Sequence, residues 1–153
     1  MVGFLITGHG QFATGVVSAI ELVAGASEQV KGVDFLESHS TGDLKLNLLG
    51  AINGLLKVSD SVLILADLVG GSPYNQSVMV KAENPNLKLE VISGANLPIA
   101  LAGIFESGGL EAEELAKGLI EKGRDGINLF MRPLKNKKNN IEDNKEKMEG
   151  DGI

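Results

Sequence analysis

The chain has 153 residues, 14 basic and 20 acidic side chains, and a net charge of −6; from Arg132 onward there are 6 basic and 5 acidic residues, which leaves 8 and 15 for residues 1–131. So acidic a body lacks the basic face of a nucleic-acid binder, and the absence of cysteine excludes disulfides, thiolate metal sites and cysteine nucleophiles. Hydrophobic residues, at 43%, suffice for a core, no apolar run approaches the ~18 residues of a membrane span, and no basic stretch precedes the apolar N-terminus as in a secretory signal, so a cytoplasmic location is expected.

Val2 to Thr7 is a short apolar run ended by Gly8 and reads as a buried strand. Phe12, Val16, Ile20 and Val23 then recur as one face of a helix that closes near Gly25. Val30 to Leu36 reads as a second strand. Leu44, Leu48, Ile52 and Leu55 mark a second helix that starts near Thr41-Gly42-Asp43. Ser61 to Ala66 is continuously apolar after its first residue, as a central strand covered on both faces should be. Ser72 suits an N-cap and Pro73 a first helical residue, which predicts a third helix over Pro73 to Ala82. Leu87 to Ile92 alternates as a fourth strand, and Asn96 caps a fourth helix that carries Pro98 in its first turn. Leu110 to Lys122 forms a fifth helix, and Gly126 to Met131 a short last strand. The predicted fold class is α/β: an open, doubly wound, mainly parallel five-stranded sheet with helices on both faces, in the flavodoxin-like order 2-1-3-4-5. Residues 1–131 make up the domain. Residues 132–153 form a polar tail without an apolar face, expected to be disordered.

In open α/β sheets, ligands collect at the carboxyl ends of the strands. Strand 1 ends at Thr7-Gly8-His9-Gly10, and strand 3 ends at Asp67, ahead of Gly70-Gly71-Ser72-Pro73. If the two strands are neighbours, His9 and Asp67 share one crevice. A neutral imidazole is a good nucleophile when one ring nitrogen is held as the donor, and Asp67 could hold that N–H. Two glycines before a helix can turn several backbone N–H groups toward an anion, with the Ser72 hydroxyl as a further donor. A nucleophile, a carboxylate and an anion cradle together suit a histidine that carries a phosphoryl group. A phosphohistidine donor would make both nucleotide and metal unnecessary. The other histidine, His39, lies in a polar loop and reads as solvated.

Three other chemistries compete. Gly8-His9-Gly10-Gln11-Phe12-Ala13 satisfies G-x-G-x-x-A between a strand and a helix, with Asp34 near the distance of a ribose contact. That alternative is a nucleotide-binding domain, but it has no room for a substrate domain and leaves Asp67 and Gly70-Gly71-Ser72-Pro73 unused. A phosphoaspartate domain would use Asp67 with Mg²⁺, yet the end of strand 1 offers Thr7, Gly8 and His9 in place of acidic ligands. A Ser72-His9-Asp67 hydrolase lacks the G-x-S-x-G elbow.

Ile6-Thr7-Gly8-His9-Gly10-Gln11-Phe12-Ala13, with Gly15 following, resembles the active-site segment of enzyme IIA of the mannose family, in the bacterial phosphoenolpyruvate-dependent sugar phosphotransferase system. Asp67-Leu68-Val69-Gly70-Gly71-Ser72-Pro73-Tyr74-Asn75 resembles that family's D-x-x-G-G-S-P-x-N stretch. Val33-Asp34-Phe35 and Val91 to Pro98 are further matches, and the resemblance covers roughly residues 1–130. It implies that His9 accepts phosphate from the histidine-containing phosphocarrier protein and passes it to a IIB component, expected here on a separate chain, which serves the membrane sugar-transport components. It implies that Asp67 orients the histidine and that Ser72, with the Gly70 and Gly71 backbone, binds the phosphoryl group. It further implies a doubly wound fold and a homodimer built partly by Gly126 to Met131.

Overall fold

A computed structural model of the chain describes residues 1–131; the predicted tail, 132–153, lies outside the described residues. Nine elements follow one another: β1 (Val2–His9), α1 (Phe12–Ala24), β2 (Val30–Phe35), α2 (Thr41–Leu55), β3 (Ser61–Ala66), α3 (Ser72–Glu83), β4 (Leu89–Ser93), α4 (Leu97–Glu106) and α5 (Ala112–Asp125). The strands form one sheet in the order β2-β1-β3-β4, parallel throughout. The order and the two-sided helix cover agree with the expected doubly wound arrangement, with four strands in place of five.

The strand period of two divides the apolar residues between two cores. Phe4, Ile6, Leu63 and Leu65 face α1, α4 and α5 through Ala13, Ile20, Ile99, Ala100, Leu115 and Leu119. Leu5, Val62 and Ile64 face α2 and α3 through Leu44, Leu48, Ile52, Leu55 and Val80. All of β3 is buried, which accounts for its unbroken apolar run. The α2 stripe inferred from spacing is fully buried. Helix starts are chemically specified: Ser40 and Asp43 exchange bonds in a capping box at α2, and the Asn96 side chain accepts from the Ile99 N–H at α4.

Two local expectations are corrected. Ser72 is the first residue of α3 and not its cap; Gly71 occupies the cap position, with no side-chain bond, and Pro73 takes the second helical position. Gly126 to Met131 does not form a strand. The Gly126 N–H turns back to the Lys122 carbonyl, Ile127 N–H to Arg124, and the Asn128 amide to Asp125, so the chain leaves α5 in a turn. A strand needs a neighbour to satisfy its backbone, and residues 127–131 pair with no strand among the described residues; Ile127, Leu129, Phe130 and Met131 are all exposed.

Candidate functional site

The strand order creates one place where helices leave adjacent strands in opposite directions. From β1 the chain passes into α1 on one face; from β3, its neighbour, it passes into α3 on the other. The crevice beyond these two carboxyl ends is where open α/β sheets hold ligands. His9 is the last residue of β1 and Asp67 the first after β3. The Thr7 and Ala66 Cα atoms are partners in the β1–β3 register, and the Asp67 N–H donates to the Thr7 carbonyl. The two side chains expected to meet are therefore brought together by the sheet itself.

The Asp67 carboxylate accepts three N–H groups. Its Oδ2 takes the His9 backbone N–H at 2.8 Å and faces the His9 ring Nδ1, also at 2.8 Å. Its Oδ1 takes the Leu68 N–H at 2.7 Å. Burial pushes the Asp67 carboxyl up, but the His9 backbone and ring together with the Leu68 amide outweigh it and hold it below its usual value. An ionised carboxylate can only accept, so the proton on the shared bond belongs to Nδ1. In the neutral ring, Nε2 then carries the lone pair. The His9 side chain is 46% exposed and Asp67 only 15%, so the ring is open to solvent while the carboxylate that holds it is shielded.

Gly70, Gly71 and Ser72 stand beside this pair in different capacities. A Cβ on Gly71 would fall 2.7 Å from His9 Cε1 and 3.5 Å from Nε2, so the absent side chain makes room for that edge of the ring. Gly71 has φ −70° and ψ 160°, which any residue adopts, so its requirement is space alone. Its N–H is engaged by the Leu68 carbonyl, and this leaves the Ser72 and Tyr74 amides at the uncapped start of α3. Ser72 is half-buried. Gly70 has φ +78°, a left-handed turn that the Asn75 side chain closes by donating to the Gly70 carbonyl at 2.9 Å.

The same geometry accounts for residues that fitted a nucleotide fingerprint. Gly8 gives up its side chain to Phe12, whose ring would lie 2.4 Å from a Cβ there. Asp34, the candidate ribose contact, accepts the Thr14 N–H at 3.0 Å and the Thr14 hydroxyl, capping α1 from the next strand. His39 is half-buried and bonded, its Nδ1 accepting from the Leu36 N–H. Two contributors had no role assigned from sequence. Phe35 sits opposite His9 in the β1–β2 register with its ring 5.9 Å away, and Asn75 locks the Gly70 turn. Strand register could have found the first; it is not written in periodicity. Among the described residues no three of His, Cys, Asp and Glu gather as a metal site would require.

The family model EIIA-man, described as PTS system fructose IIA component, matches residues 3–120. The chain belongs to this family, the mannose-type IIA components of the phosphotransferase system. It is 29% identical over 119 residues to the sorbose-specific EIIA component of Klebsiella pneumoniae, covering 78% of this chain and 84% of that one. It is 27% identical over 127 residues to the mannose-specific EIIAB component of Escherichia coli K12, covering 82% of this chain but only 38% of that longer protein. Among solved structures, the EIIA component of Streptococcus agalactiae superposes with a TM-score of 0.76 at 30% identity, covering 83% of this chain and 95% of that one. No described helix of this IIA chain is long and apolar enough to cross a membrane.

Gly71→Ala is expected to push the ring off Asp67 without unfolding the chain. The check is ¹⁵N NMR of the His9 imidazole, which should lose the signature of a bonded Nδ1–H while the melting temperature stays near wild type. Acid should expose Asp67 in a second way. Because its folded pKa lies below the ordinary 3.8, its contribution is complete above that pH and disappears as the pH falls through the folded value. An amide has one acceptor oxygen where Asp67 uses two, so Asp67→Asn loses a bond at neutral pH. The gap in melting temperature between wild type and Asp67→Asn should therefore narrow below about pH 3.8.

Proposed function

We propose that this IIA chain is a phosphoryl carrier in sugar uptake, accepting phosphate at His9 Nε2 from a histidine-containing phosphocarrier protein and passing it to a IIB component. The observation that carries this reading is the exposed imidazole whose Nδ1 is held by Asp67, in a member of the phosphotransferase family. The Nε2 lone pair attacks phosphorus in line as the bond to the donor imidazole breaks, and the donor ring leaves with that electron pair. The His9 ring keeps its Nδ1 proton, and the Asp67 carboxylate offsets the positive charge that develops on it. The phosphoryl oxygens lie toward the Ser72 and Tyr74 amides and the Ser72 hydroxyl, where a helix N-terminus favours negative charge. Onward transfer is the reverse displacement with IIB as acceptor. No nucleotide or metal enters either step. The relatives' names carry mannose, sorbose and fructose.

The homodimer implied by the resemblance is proposed in the same terms. The outer edge of β4 carries no strand among the described residues. A groove of about 420 Å³ runs beside it, lined by Val91, Ile92, Ser93 and Ile127 among others. The exposed apolar run from Ile127 to Met131 from a second copy suits that edge as the missing fifth strand.

Incubation with phosphoenolpyruvate and the upstream proteins, followed by peptide mapping, should place acid-labile, alkali-stable phosphate on His9; label on any other residue defeats the carrier reading. Asp67→Asn should slow transfer on the order of 10²-fold, as loss of one preorganised electrostatic contact does. Ser72→Ala should cost less than about tenfold, the value of a single hydrogen bond. Phe130→Asp should shift sedimentation from dimer to monomer; an unchanged dimer would remove residues 127–131 from the interface.

A further inference from the structure

Phe35 ends β2 directly across from His9. The two ring centroids lie 5.9 Å apart at an interplanar angle of 66°, within the range of an edge-to-face aromatic contact. The backbone around Phe35 is tied at both sides. Its carbonyl accepts the Gly10 N–H at 2.9 Å, which joins the loop after His9 to the end of β2. The next residue, Leu36, exchanges two bonds with His39, its N–H donating to the His39 ring and its carbonyl accepting the His39 N–H. Phe35 itself packs against the core under α2 and α3. It is thus a fixed wall, while the His9 side chain it touches is half open to solvent.

The other restraints on the imidazole are incomplete. Asp67 restrains one atom, Nδ1, and a single hydrogen bond to a ring that is 46% exposed does not exclude other rotamers. Gly71 offers the ring space and no contact that would retain it. Among the described residues only Phe35 adds an aromatic surface against the ring. We propose that Phe35 is a positioning residue, holding the His9 imidazole in the one rotamer that keeps Nδ1 on Asp67 and lays the Cε1–Nε2 edge along Gly71. Its consequence for rate rests on the carrier function proposed above: a ring that leaves this rotamer presents no Nε2 in line for attack, so Phe35 acts on turnover and not on affinity for the donor protein.

The test compares Phe35→Met and Phe35→Leu, which remove the ring, with Phe35→Tyr, which retains it. Three-bond couplings and ¹⁵N shifts of His9 are measured in the unphosphorylated protein, and kcat and KM with the phosphorylated histidine-containing phosphocarrier protein in steady state. The ringless variants should show averaged His9 rotamers and a kcat lower by about three- to tenfold, with KM within about twofold. Phe35→Tyr should restore the single rotamer and most of kcat. A single His9 rotamer and wild-type kcat in the ringless variants would overturn the proposal. So would an equal loss in Phe35→Tyr, or unfolding of both ringless variants, either of which assigns Phe35 to the core. Absence of phosphate on wild-type His9 defeats the carrier function instead, and the rotamer measurement still decides on Phe35.

Discussion

The contact on which this site depends is the one between Asp67 and His9. One carboxylate oxygen holds both the backbone and the ring of the histidine, and the other holds the next amide along its own chain. The arrangement ties the ends of two parallel strands together and settles which imidazole nitrogen keeps the proton. Its worth to stability is modest, about 0.5–1.5 kcal/mol for a typical hydrogen bond. What the pair fixes is the tautomer and orientation of the ring, and that is the property on which the proposed carrier chemistry rests.

The surroundings are built to keep that aim while leaving Nε2 accessible. The strands beneath are buried: all of β3 and nearly all of β1 are shielded. The loops above carry the exposed ring and the start of α3, the usual division between a rigid scaffold and functional connections. Space is as specific as contact here. Gly71 leaves room for one edge of the ring, Gly8 for Phe12 beneath, and Asn75 fixes the turn between Asp67 and α3. Asp34 closes the start of α1 and so holds the segment that follows His9.

The outer strands of the sheet, β2 and β4, pair with no further strand among the described residues, and an edge is a row of unpaired backbone groups. The apolar residues 127–131 come off α5 near one of those edges, with their side chains exposed. They have the apolar pattern of a strand and pair with none among the described residues.

Periodicity alone determined most of the architecture. The α2 stripe, the buried β3 run and the Asn96 cap are local signals with a single cheap solution, and each appears where the spacing puts it. The motif residues around His9 and Asp67 were equally legible as candidates, and their likeness to the mannose-family IIA segments named the family. Only the tertiary structure decided which of them touch. Strand order and register are long-range properties, set by packing between residues dozens of positions apart, so no local pattern could place Asp67 on Nδ1, Phe35 against the ring, Asp34 on Thr14 or Gly71 under Cε1. For the same reason the sequence could suggest a fifth strand but not supply its neighbour: β-structure is a relation between two segments, and here the second segment is not among the described residues of this chain.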